Sequence, residues 1–166
     1  MLDRLVVFYH SRGELQTARE LAEQMMRLAQ SVQERYLLSL AHVRLGLILY
    51  LRGEFPSART HLEQAIALYD PQKHLRHSDR TVEPGVDYLS YASWSLWFLG
   101  YPDQALKRSR EAVALAEGLS HPSSLVFALA CAATSHLLRR EGQLARERAE
   151  AVMTLSTEQR LPFWLA

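Results

Sequence analysis

His74-x-x-His77, flanked by Asp70 and Asp79, is the first stretch whose residue types could do chemistry. Imidazole nitrogens and carboxylate oxygens are ligands for zinc and its neighbours in the first transition row. The run that holds them, "DPQKHLRHSDRTVEPGVD", is polar and carries two prolines and a glycine. It has no cysteine and no second matching pair, so it reads as a solvated loop. Neither a metal nor a cofactor is expected. The single cysteine, Cys131, lies among alanines in "FALACAATSHLL". Nothing there would stabilise a thiolate, so it reads as a small buried hydrophobe. One cysteine excludes a disulfide within the chain and makes a reducing cytoplasm the natural setting.

Other chemistries leave no mark. There is no Gly-x-x-x-x-Gly-Lys-Ser/Thr and no Gly-x-Gly-x-x-Gly to cradle phosphate. No nucleophile elbow is present, so the chain is read as no enzyme. A formal net charge of +1 gives no basic excess for nucleic acid or an anionic membrane surface. The most apolar run, "VDYLSYASWSLWFLG", is too short to span a bilayer and carries Asp87 and three serines.

The elements that would position any site announce themselves through glycine. Gly13, Gly53, Gly100 and Gly142 each follow a long apolar run, at separations of 40, 47 and 42 residues. A period in this range signals stacked helix pairs. In each unit a helix A ends at the glycine and a helix B follows. Ala18, Ala58 and Ala105 come five residues after the first three glycines and let B lie close to A. Pro56 and Pro102 fall in the opening turn of B, where a missing N–H costs nothing. Apolar residues recur every three or four positions and never alternate strictly, which predicts helices and no strands. The spacing places A helices at about 2–11, 32–51, 86–99 and 122–140, and B helices at about 14–29, 55–69, 102–117 and 143–157.

"LGLILYLRGEFPSARTHLEQAIALYDP" resembles a tetratricopeptide repeat. Leu45-Gly46 match the Leu-Gly of helix A, Gly53 the turn, Ala58, Leu62 and Ala65 the helix B positions, and Pro71 the closing proline. Unit three has Ala92-Ser93 in place of Leu-Gly, and unit four has Glu147 at the expected alanine. The resemblance implies an all-α, right-handed helical-repeat solenoid of about four helix pairs. Its units would lie at about 1–30, 31–71, 86–118 and 121–158 in one repeat domain, with an insertion at 72–85. Pro71 would close the second unit, and Pro84-Gly85 would keep the third A helix from starting early. Leu75, Val82 or Val86 would anchor the insertion. "LPFWLA", residues 161–166, would open a further helix of a longer array.

Over nearly its whole length the chain is similar to the C-terminal repeats of large bacterial signalling proteins. In those, a class III nucleotidyl cyclase or other output domain joins a STAND/AAA-type ATPase. That likeness implies a cytoplasmic regulatory module binding a peptide or a neighbouring domain. In such folds the A helices line a concave groove. The repeat register carries Val43, Leu47, Tyr50, Trp94, Trp97, His136, Arg139 and Arg140 into it. Two other functions remain open: a sensor of a small effector, and a self-assembly scaffold with an interface away from the chain ends. Self-association through exposed repeat ends is expected separately.

Overall fold

Apolar residues at helical spacing fold this chain into helices throughout. The computed structural model describes residues 2–71 and 82–161. Among them are eight helices and no strand. In chain order they are α1 (Leu2–Ser11), α2 (Leu15–Val32), α3 (Arg35–Leu51), α4 (Phe55–Leu68), α5 (Pro84–Phe98), α6 (Pro102–Gly118), α7 (Pro122–Leu138) and α8 (Gly142–Glu158). The chain divides into two compact units, Met1–His77 and Ser78–Ala166. In the first, α1 packs on α2, α2 on α3 and α3 on α4, with α1 also reaching α3. Its core centres on Val6, Ala22, Met25, Leu40 and Ile48. In the second, α5–α6 and α7–α8 form hairpins, with α6 and α5 both packed on α7. Small residues dominate there: Ala112, Ala116 and Ala128 pack around Val86.

The A-to-B turns share one backbone design. Gly13, Gly53 and Gly100 take φ of 77°, 78° and 84°. Each of their amides bonds the carbonyl three residues back, as Gly53 N does to Tyr50 O at 2.9 Å. The next amide bonds five back, as Glu54 N does to Leu49 O at 2.9 Å. This pair of bonds satisfies carbonyls that a helix end leaves orphaned.

In the fourth turn the structure corrects the glycine reading. Gly142 opens α8 instead of turning the chain. Arg140 takes the left-handed conformation, with φ of 60°. Its amide bonds Leu137 O, and Glu141 N bonds His136 O. The separations of the turn residues are therefore 40, 47 and 40. Glu147 is not the counterpart of the packing alanine. Ala145 is: its amide bonds Glu141 O as those of Ala18, Ala58 and Ala105 bond Glu14, Glu54 and Tyr101. The helix α6 ends at Gly118, and Ser120 just beyond it takes the left-handed conformation, with φ of 50°. One further expectation changes. Pro84-Gly85 does not delay α5 but forms its first turn, where the missing proline N–H costs nothing. Glu83 caps that turn through Val86 N at 3.2 Å. Val82 and Val86 do pack into the second unit's core, while Leu75 and residues 162–166 lie outside the described residues.

Gly46 earns its place by contact. A Cβ there would lie 2.7 Å from Leu62 Cγ and 3.3 Å from the Ala58 carbonyl oxygen. Ser93, the equivalent residue before Gly100, shows how a side chain is accommodated. Its hydroxyl donates to Ala105 O at 2.8 Å, the carbonyl that corresponds to that of Ala58. A steric conflict in one hairpin is thus a hydrogen bond in another.

Three turns carry an arginine–glutamate clasp that the glycine pattern did not reveal. Arg12 Nε donates to Glu14 at 2.9 Å, Arg52 Nε to Glu54 at 2.7 Å and Arg139 Nε to Glu141 at 2.8 Å. These glutamates occupy the N-cap positions of B helices but cap no amide with their side chains. Arg52 and Arg139 also reach the preceding B helix. Arg52 Nη1 lies 3.2 Å from Gln16 Oε1, and Arg139 Nη1 lies 3.7 Å from Asp103 Oδ1. The clasps of the second and fourth turns therefore join a turn to the repeat before it. Leu99-Gly100-Tyr101 lacks the arginine–glutamate pair. The Arg52 hydrogen bond is the main reason the Glu54 carboxyl is held below its ordinary range. For Glu141 the His136 hydrogen bond comes first and Arg139 second.

Two predictions follow from these contacts. Gly46→Ala should lower stability by about 1–3 kcal/mol, the usual range for overpacking, whereas Arg140→Gly should raise it by about 1 kcal/mol by relieving a left-handed side chain. Denaturant melts of the two variants check both, and a destabilised Arg140→Gly would contradict the revised fourth turn. The second concerns acid. A carboxylate depressed in the folded state stabilises above its unfolded pKa and loses that contribution as pH falls through the folded value. The melting temperature should therefore decline from about pH 4.5 downward, and a Glu54→Gln/Glu141→Gln variant should show a shallower decline over the same range.

Candidate functional site

The second unit places half-buried aromatic side chains across two A helices. Trp94 and Tyr91 lie one turn apart on α5, with ring centroids 5.8 Å apart and edge to face. Tyr91 also meets Phe127 of α7 at 6.0 Å, again edge to face. A strip Phe127–Tyr91–Trp94 results, held by ring packing that favours this geometry. All three residues are only partly buried, and Phe98, one turn further along α5, is half exposed. Small residues on α5 (Ser90, Ala92, Ser93) are buried beside these aromatics. Trp97 is also half-buried, and its carbonyl accepts from Gly100 in the turn.

The other residues assigned to the groove separate by role. Val43 and Leu47 are buried, with 0% and 3% of their surface exposed, so they are core rather than groove lining. Tyr50, in the first unit, stacks at a tilt on Phe55 at 5.8 Å across the Gly53 turn. His136 is buried and its Nδ1 lies 2.6 Å from Glu141 Oε2. The same carboxylate takes Arg139, which also reaches the Pro102 carbonyl at 3.4 Å. These two side chains are committed to the turn, as structural residues usually are. Arg140 is exposed, and its conformation is that of the turn glycine.

His136 does face a cleft, but one between B helices. The space of about 350 Å³ is walled by α6 and α8 and floored by Ala132 and His136 of α7. Arg110 and Arg148 stand on its two walls, with Val113 and Leu144 beside them. Trp94 and Trp97 take no part in its lining.

Among the described residues no group of three or more His, Cys, Asp or Glu side chains could hold a metal ion. His74 and His77 lie outside the described residues. Cys131 is buried, and that burial pushes its thiol up to about 12, so it stays a protonated, unreactive packing group. No helix among the described residues is long and apolar enough to cross a membrane.

Comparison with known proteins agrees with the fold. Residues 1–70 match the family model described as tetratricopeptide repeat. The chain is similar to a crystallised variant of the nearly identical TPR-like repeats assigned to a kinesin light chain of Podosopora anserina. The TM-score is 0.66 at 19% identity, covering 96% of this chain and 74% of that one. It is similar also to MamA protein, with a TM-score of 0.58 at 15% identity, covering 96% and 73%. No curated protein matches it in sequence. Identities this low speak for the fold alone. With four equivalent turns, four packing alanines and the family match over residues 1–70, the chain carries a tetratricopeptide-like repeat region.

Proposed function

We propose that this chain is a non-catalytic protein–protein interaction module that binds an extended peptide or a neighbouring domain along its A helices. The reading includes the larger setting suggested by the sequence, a regulatory segment of a cytoplasmic bacterial signalling ATPase or cyclase. The observation that carries it is the strip Phe127–Tyr91–Trp94, continued by Phe98. Large aromatic side chains left partly exposed on adjacent helices supply rigid contact area at low entropic cost. Tyr50, Trp94, Trp97 and Arg140 remain the proposed contact residues. His136 and Arg139 serve the proposal indirectly, by fixing the turn that positions α7 and α8. Binding would regulate a parent protein through differential affinity for two of its arrangements.

A second reading has its own observation. The α6–α8 cleft sets Arg110 and Arg148 on opposite walls of a mainly polar lining that also holds Ser109, Glu117 and His136. Neither arginine enters an ion pair among the described residues. This arrangement suits a small carboxylate-bearing effector, because guanidinium forks match carboxylates.

The two readings separate experimentally. Peptides selected from a displayed library on the wild-type chain should bind Trp94→Ala and Tyr91→Ala at least tenfold more weakly by tryptophan-independent calorimetry. Arg110→Ala and Arg148→Ala should bind them normally. Undiminished binding to both aromatic variants would reject the aromatic strip as the site. A carboxylate metabolite that raises the melting temperature of wild type but not of Arg148→Ala would favour the cleft.

A further inference from the structure

His42 of α3 and His61 of α4 meet inside the second hairpin, their Nδ1 atoms 3.0 Å apart and their rings tilted at a centroid distance of 5.1 Å. One ring must donate and the other accept, so the contact requires two neutral imidazoles or one proton shared between them. The fold does not ask for histidine here. Counted from the left-handed turn residue, His42 lies eleven before and His61 eight after. The equivalent pairs are Leu2 and Leu21, Leu89 and Arg108, and Leu129 and Arg148. Leu2 and Leu21 pack against the first unit's core as ordinary hydrophobes. A repeat that is satisfied by two leucines carries two metal-ligating rings in one hairpin.

We propose that His42 and His61 form a two-point site for a divalent transition metal of the imidazole-preferring class, bound through both Nδ1 atoms in place of the shared hydrogen. The geometry supports this directly. Imidazole nitrogens about 2.0–2.1 Å from a metal lie about 2.9 Å apart at a right angle and about 3.4 Å apart at a tetrahedral angle. The observed 3.0 Å falls at the right-angled end, where copper(II) and nickel(II) are at home and zinc needs a slight opening of the rings. Both histidines are half-buried, so water can complete the coordination shell. No third protein ligand joins them among the described residues, which sets the affinity order by the metal's own preference for nitrogen: copper above nickel and zinc. Burial first, and the neighbouring ring second, hold His42 down to about 4, and burial lowers His61 as well. Both rings are therefore neutral at pH 7, the form that binds metal. A bound ion would bridge α3 to α4 and stabilise the first unit by mass action.

The test uses the whole chain at pH 7 and a His42→Leu/His61→Leu variant that copies the Leu2–Leu21 pair. Copper(II) titration followed by electron paramagnetic resonance should show one ion with two-nitrogen coupling in wild type. The double variant should lose that ion, while His74 and His77 remain in both proteins as an internal control. Nickel(II) or zinc(II) should raise the melting temperature of wild type and leave that of the double variant unchanged. Single His42→Gln and His61→Gln variants, which keep a polar partner should the double variant fold poorly, should each bind copper at least tenfold more weakly. Equal copper affinity and identical spectra across wild type and these variants would overturn the site.

Discussion

Everything in this fold depends on reversing a helix within three residues while keeping its last carbonyls bonded. A left-handed residue does that, and the chain places one at each A-to-B turn. The two backbone bonds it permits bring helix B back along helix A at a fixed offset. The alanine five residues on then meets helix A, and large residues there would push the pair apart. The packing of Gly46 against Leu62 and Ala58, the Ser93 hydrogen bond and the His42–His61 contact all inherit their geometry from that offset. The arginine–glutamate clasps act on the same point from outside. Those at Arg52 and Arg139 cross from their turn to the preceding B helix, so they set repeat against repeat as well as A against B. As partly exposed ion pairs they contribute modestly one at a time. Their value lies in position more than in strength.

Much of this was legible in the sequence because glycine marks left-handed backbone so strongly. Gly13, Gly53 and Gly100 located three turns, and Ala18, Ala58 and Ala105 located three packing contacts. The fourth turn misled for a physical reason. An arginine can hold φ of 60° when the surrounding bonds fix it, at a cost of roughly 1–2 kcal/mol. A glycine two residues later then looks like the turn. With Arg140 in its proper role, the period regularises to 40 residues on either side of the insertion, and Ala145 falls into place. The clasps were readable too: Arg12 and Glu14, Arg52 and Glu54, and Arg139 and Glu141 share one spacing. They were hidden by the same two-residue slip.

The candidate site was less legible, and the reason is instructive. Helical periodicity says which residues share a side but not how much of that side a neighbouring helix covers. Val43 and Leu47 satisfied the groove register and turned out to be buried. The register likewise carries Arg139 and His136 into the groove, yet both are tied to the turn. Their partner, Glu141, stands just past the turn, where sequence reading assigned it no role. The register carries Trp94 into the groove, and its half-buried edge contact with Tyr91 gives it a packing role as well.

The His42–His61 pair shows what a correct repeat register adds beyond fold. The two residues are nineteen apart, on different helices, and no motif links them. Only the offset from each left-handed residue identifies them as the counterparts of Leu2 and Leu21. A repeat protein is its own control in this sense: each hairpin displays the residues its packing requires, and departures stand out against that background. Ser93 departs from Gly46 and is explained by a hydrogen bond to a backbone carbonyl. Arg140 departs from glycine and is explained by the turn bonds around it. The histidine pair departs from leucine, and packing gives no reason for it, since an apolar pair already fills the equivalent place in the same unit. Two half-buried rings cost desolvation that leucine would not. A residue pair that the scaffold does not need, and that weakens its apolar seam, is where function is best sought in a fold built from copies of itself.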